Sequence, residues 1–170
     1  FGESDIPGLE LAGEVVALGE HVRDFKQGDR VYALVAGGSY AEYCLVHHQL
    51  AAKIPDDWSF DYAAAIPEAL TTAHACLVVY GQLLAQEKLL IHAAGSGITS
   101  FAVQMAMLKQ ATVISTASCD KKIAKAKALG LTQVINYKTT DFATEIALDS
   151  INLIVDYFGG DYLNKHLSLL

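Results

Sequence analysis

Between Leu89 and Leu108 the chain carries no charged residue, yet Gly95-Ser96-Gly97 and Thr99-Ser100 interrupt the run in its middle. A helix crossing a bilayer needs about 20 apolar residues without such a break. The run therefore predicts a buried strand over 88–93, a glycine turn and a buried helix over 100–109. A strand that omits its polar positions must be covered on both faces, the condition of a parallel sheet between layers of helices. The same alternation continues downstream. Strands are expected over 112–116, Gln133–Asn136 and 151–155, and helices over 120–129, 141–147 and 162–170. This is the pattern of a doubly wound α/β unit.

Upstream the period changes. Short β-like runs over 11–18, 30–35 and 40–46, punctuated by Gly19 and Gly37-Gly38, predict a small all-β unit, and an Ala-rich stretch over 61–83 predicts a helix joining it to the α/β unit. The length of 170 residues fits one ordinary domain or two incomplete ones. The chain begins Phe1-Gly2-Glu3 without an initiator Met, and it ends inside a helix after four strands of a sheet that usually has six. A fragment lacking both ends is expected.

Composition narrows the partners. Lys plus Arg number 12 against 19 Asp plus Glu, a net charge of −7, and no basic stripe is present. Nucleic acid is not expected as the principal partner. Cys44, Cys76 and Cys119 are widely spaced and odd in number, which argues against a disulfide framework and for a reducing, cytoplasmic compartment. No membrane association is expected. His47, His48, His74 and His92 show no ligand spacing to any cysteine and are read as structural; no metal site is expected. A serine between two adjacent glycines is also not a nucleophile elbow.

The turn Ala93–Ser100 lies between a strand and a helix, where backbone N–H groups and the helix dipole favour an anion. Against G-x-G-x-x-G the register is Ala94-x-Ser96-x-x-Thr99, so the motif alone leaves a plain strand-to-helix turn open. The second strand ends in small neutral residues rather than the acid that would accept from a ribose 2′-OH. Ser118 with Lys121 or Lys122 could instead hold a 2′-phosphate, although the lysines also fit a solvated helix face. Asp120 lies between them and counts against this, although as the cap of the following helix it would point at backbone N–H groups instead.

Pro7-Gly8-Leu9-Glu10-x-Ala12-Gly13-Glu14-Val15, Gly28-Asp29-Arg30-Val31, Gly37-Gly38-Ser39-Tyr40-Ala41-Glu42-Tyr43 and Ile91-His92-Ala93-Ala94 stand in one order. They resemble the zinc-independent quinone oxidoreductase, or zeta-crystallin-like, branch of the medium-chain dehydrogenase/reductases. Within it, Ala63-Ala64-Ala65-Ile66-Pro67-Glu68-Ala69, Ile135-Asn136-Tyr137-Lys138 and Asp156-x-x-Gly159-Gly160-x-Tyr162 look most like the p53-inducible quinone oxidoreductases. The resemblance implies a partial GroES-like β domain over 1–66 and a partial NADP-binding Rossmann domain over 67–170. Leu9 stands where zinc-dependent relatives have a histidine ligand.

Position by position, the resemblance implies that Thr72 lies near the nicotinamide of NADPH. Gly95, Ser96, Gly97, Ile98 and Thr99 would lie against its pyrophosphate, and Ser118, Lys122 and Tyr137 around its 2′-phosphate. Ser96 and Ser100 are expected to add hydroxyl donors to the turn. Thr99 departs from the family glycine and would push the turn from the facing strand unless Ala93, Ala94 and Ala102 leave room. The implied activity is hydride transfer from NADPH to a quinone, by a protein that is a homodimer when complete. An enone or enal is the alternative substrate, and a non-catalytic nucleotide-binding protein on this fold the alternative class. No catalytic residue is assigned.

Overall fold

The computed structural model describes residues 4–170; Phe1, Gly2 and Glu3, the start of the expected β domain, lie outside the described residues. The chain divides into two compact units, Phe1–Ala69 and Leu70–Leu170.

In the first unit, β1 (Glu10–Glu14), β2 (Arg30–Leu34) and β3 (Ala51–Lys53) form an antiparallel sheet in the order β1-β2-β3. Tyr32 stands between Ala12 and Ala52. The central strand buries Val31 and Ala33 and leaves Arg30, Tyr32 and Leu34 half-buried, the alternation expected of a sheet with one covered face. Gly8, at φ +104°, is required by close approach, since a Cβ there would run into the Ser39 hydroxyl and the Tyr40 ring. The first expected run shortens to β1. Residues 40–46 are not a strand: 40–43 bend and 44–46 are irregular, with Tyr40, Tyr43 and Leu45 exposed. Alternation marks which side chains could share a face, but a strand also needs a partner backbone, and β1, β2 and β3 pair only among themselves.

The helix expected over 61–83 is interrupted. Ser59 caps α1 (Phe60–Ala64) by accepting from the Tyr62 N–H at 3.1 Å, and Pro67 opens α2 (Pro67–His74), which runs into a π-helical turn, Ala75–Tyr80. Proline has no N–H to give the preceding turn and suits a first helical position.

The second unit holds a parallel sheet of β4 (Lys88–Ile91), β5 (Thr112–Ala117), β6 (Gln133–Asn136) and β7 (Leu153–Val155), ordered β6-β5-β4-β7. Around it are α3 (Gly97–Leu108), α4 (Asp120–Ala128), α5 (Phe142–Glu145) and α6 (Tyr162–Leu167). Both faces are covered. Leu89 and Ile91 pack with Ala102, Val103 and Ala106 of α3, whereas Leu90 packs with Ile114, Ile135, Phe142 and Leu169. Every side chain of β4 after Lys88 is thus fully buried, and its lack of polar positions follows. The fold class is α/β, an antiparallel sheet followed by a parallel Rossmann-like sheet. The uncharged run resolves as β4, a turn and α3, and among the described residues no helix is long and apolar enough to cross a membrane.

Candidate functional site

The order β6-β5-β4-β7 reverses direction between β4 and β7, and in open parallel sheets ligands bind at that switch, beyond the C-terminal strand ends. The turn after β4 lies at this place. Ala94 N–H donates to the Thr116 carbonyl at 2.8 Å, fixing the turn to the end of β5, and Ala93 takes a left-handed φ of +59° to make the bend. Ser96 caps α3, its hydroxyl oxygen accepting from the Thr99 N–H at 3.1 Å. Among the described residues, the backbone N–H groups of Gly95, Gly97 and Ile98 carry no hydrogen bond. Unpaired N–H groups at the start of a 12-residue helix form a cradle suited to a diphosphate.

Thr99 is fully buried. Its hydroxyl donates to the His92 carbonyl at 3.0 Å and lies 3.1 Å from the Ser96 hydroxyl, so the residue in the third glycine position ties α3 to the end of β4. The hydroxyls expected as phosphate donors, however, are engaged in the turn itself. Ser100 Oγ donates to the Ser96 carbonyl at 3.0 Å, and Ser96 Oγ serves Thr99, because an N-cap hydroxyl satisfies helix N–H groups before any ligand does.

The structure brings together some of the expected residues and separates others. The aliphatic stem of Lys122, in the first turn of α4, lies over Gly95, where an added Cβ would stand 3.1 Å from Lys122 Cδ. Ser118 follows β5, and the Tyr137 N–H donates to the adjoining Ala117 carbonyl at 3.1 Å. Tyr137 also lines a depression of about 300 Å³ with Lys138 and Lys165, in which neither Ser118 nor Lys122 takes part. Thr72 is half-buried in α2. Asp120 is not the cap of α4. That position belongs to Cys119, whose thiol is held below its ordinary pKa by the Lys122 N–H first, and then by Lys121, the Lys122 charge and Ser118.

Behind the turn lies a polar cluster that the sequence did not reveal. His92, directly after β4, contacts Thr116 Oγ1 through Nδ1 at 2.9 Å and His166 Nε2 through Nε2 at 2.8 Å. His166 Nδ1 lies 3.4 Å from Asp156 Oδ2. Both rings are buried, among Phe142, Phe158 and Tyr162. Burial, and then the neighbouring His166, pushes His92 down to about 4 against the pull of Asp156. Burial also lowers His166. Burial alone would raise Asp156, but the N–H groups of Phe158 and Gly159, at 2.8 and 3.0 Å, and the two histidines leave it below the usual carboxylate range. Among the described residues this is the group of His, Cys, Asp and Glu close enough to share an ion, its donor atoms lying within 4.8 Å of one another. The ring nitrogens already face each other, Thr116 and Asp156, which leaves none directed at a common point. The arrangement is a hydrogen-bond chain rather than a chelate. Beside it, Tyr157 reaches the Thr99 side chain, and burial together with Cys76 raises its phenol to about 12, so it stays protonated. A histidine ending an apolar strand is the one sequence signal for this cluster; nothing in the local pattern around His166 or Tyr157 points to it.

Residues 3–56 match the family model of the alcohol dehydrogenase GroES-like domain, and residues 97–170 match that of the zinc-binding dehydrogenases. The chain is 37% identical over 168 residues to the synaptic vesicle membrane protein VAT-1 homolog of Homo sapiens, covering 96% of this chain and 42% of that protein. CurK enoyl reductase superposes with a TM-score of 0.90 at 30% identity, over 97% of this chain and 51% of that one. Escherichia coli quinone oxidoreductase complexed with NADPH superposes with a TM-score of 0.86 at 30% identity, over 96% and 52%. The chain thus spans about half the length of the proteins it matches.

Proposed function

The chain belongs to the medium-chain dehydrogenase/reductase superfamily, in its quinone oxidoreductase-like branch, and on that premise we propose that it is part of an NADPH-dependent reductase acting on a quinone. The observation that carries this reading is the cradle at the switch point, where the N–H groups of Gly95, Gly97 and Ile98 at the start of α3 are unpaired and Lys122 lies over Gly95. NADPH, when bound, supplies the hydride, so the chain contributes orientation and charge rather than an acid–base pair.

In this reading the three N–H groups and the dipole of α3 hold the pyrophosphate. Thr99 and Ser96 keep the turn in shape. Lys122 and Ser118 meet the 2′-phosphate; the tip of β5 itself carries no acid, and Asp120, in the first turn of α4, is the charge that opposes them. Thr72 is assigned to the nicotinamide and Tyr137 to the adenosine side on the resemblance of their positions. With Leu9 at the position of the histidine ligand, the reading includes no catalytic metal. The likeness to CurK enoyl reductase favours a second reading, reduction of an activated alkene, since 1,4-addition of hydride to a quinone and to an enone makes similar demands.

The test is a fluorescence titration with NADPH. Saturable binding in the micromolar range is expected, and no saturation up to millimolar NADPH would leave only a nucleotide-free protein on this fold. Turnover of a quinone and of an enone by the complete protein then separates the two substrates.

A further inference from the structure

The polar chain behind the turn has a direction that its partners fix. Asp156, ionised, can only accept; it takes the N–H groups of Phe158 and Gly159, and its Oδ2, an ion-pair contact 3.4 Å from His166 Nδ1, favours a proton rather than a lone pair on that nitrogen. A neutral His166 then has only a lone pair at Nε2. His92 must meet it with Nε2–H at 2.8 Å, which leaves His92 Nδ1 to accept from the Thr116 hydroxyl at 2.9 Å. Each donor has one acceptor, and all point the same way.

We infer that this chain, Thr116 to His92 to His166 to Asp156, positions the glycine-rich turn for the cofactor, with His166 the positioning residue that closes it. Three of its four members are also attached to the cradle, and His166 links two of them. The His92 carbonyl accepts from Thr99, the Thr116 carbonyl accepts from Ala94 N–H, and Asp156 anchors the loop that brings Tyr157 to Thr99. The ends of β4, β5 and β7 are thereby joined through side chains that touch no ligand. The inference rests on the reading that NADPH lies against this turn.

A proton taken up by the pair reverses the chain. It enters His166 Nε2, beside the Asp156 carboxylate. His92 must then shift to its Nδ1–H tautomer and donate to Thr116 Oγ1, whose hydroxyl hydrogen loses its acceptor. The other titratable groups near the rings are Tyr162, in ring contact with both histidines, and the Lys165–Asp141 pair, with Lys165 lying over the Phe142 ring. Tyr157 and Cys76 lie on the Thr99 side. Burial and the neighbouring ring disfavour the extra proton on His92 at neutral pH, which supports the neutral chain as the working state.

Two measurements test this. Long-range nitrogen–proton NMR of histidine-labelled chain at pH 7.5 should show one buried ring protonated at Nε2 and the other at Nδ1; two buried rings in the same tautomer would overturn the chain itself. NADPH affinity should fall about tenfold between pH 7.5 and 4.0, the range into which burial lowers both histidines, a factor the size of an ordinary coupling between two sites. The ionisation of the 2′-phosphate contributes equally in any variant, so His166→Gln, whose amide can accept from His92 and donate to Asp156 without titrating, should flatten the profile by most of that factor. Parallel profiles in the two proteins overturn the positioning role while leaving the cofactor reading intact. Absence of NADPH binding by the unmodified chain at every pH overturns the cofactor reading and the positioning role with it. The tautomer measurement stands apart from any failure of the variant to fold.

Discussion

Thr99 shows how one side chain can replace a glycine without spoiling the turn that glycine usually serves. It is fully buried, and its hydroxyl donates to the His92 carbonyl beyond the end of β4. A buried hydroxyl with a good acceptor contributes about 1 kcal/mol, so removing it gives up an attachment as well as bulk. Thr99→Gly is therefore expected to change NADPH affinity less than tenfold and to lower stability by roughly 1 kcal/mol, through the lost hydrogen bond and the added backbone freedom. Titration with NADPH and urea unfolding of the two proteins would check it. A hundredfold gain in affinity would mean that Thr99 holds the pyrophosphate away, and the reductase reading would give way to a fold without a working cofactor site.

At the scale of the element, α4 matters because its first turn faces the cradle. Lys122 lays its stem on Gly95, in the same first turn as Asp120 and after a strand end that carries Ser118. A charge-assisted contact to a 2′-phosphate in a partly exposed groove is worth roughly 1–2 kcal/mol, about tenfold in affinity. Lys122→Ala should lose that factor for NADPH and leave NADH nearly unchanged, measured by parallel titrations. Equal losses for both cofactors would make Lys122 only a cover for Gly95. The same element shows what a pattern leaves open. Asp120 had the composition of a cap, but the chain turns one residue earlier and Cys119 takes the place. Helix starts shift by a residue or two because capping depends on backbone angles that composition does not fix.

For the molecule as a whole, the buried histidine pair sets a pH window for stability. The folded-state pKa of His92, about 4, lies below its unfolded value of about 6.5. The unfolded chain therefore binds more protons between those values, and the contribution, complete above pH 6.5, is lost as pH falls toward 4. Stability at pH 5 should be lower than at pH 8 by roughly 2 kcal/mol, read from urea midpoints. Asp29, held low by Lys53 first, and Asp141, held low by Lys165 first, act in the other window, below pH 4, so the two effects separate. Equal stability at pH 5 and pH 8 would show that the pair is not buried in its neutral form.

The sequence by itself determined the α/β class, the parallel sheet and the position of the turn, since a strand with no polar positions can only lie inside a sheet covered on both faces. It also placed Gly95 to Thr99 at the helix start, because that placement is local in the chain. Only the tertiary structure decided that residues 40–46 make no strand, which depends on a partner distant in sequence, and that Tyr137 lines a depression in which Lys122 takes no part. It alone joined His92 to His166 across 74 positions, by folding α6 back onto the ends of β4 and β7. Periodicity records which face of an element is buried; it holds no record of which buried polar atoms will meet there.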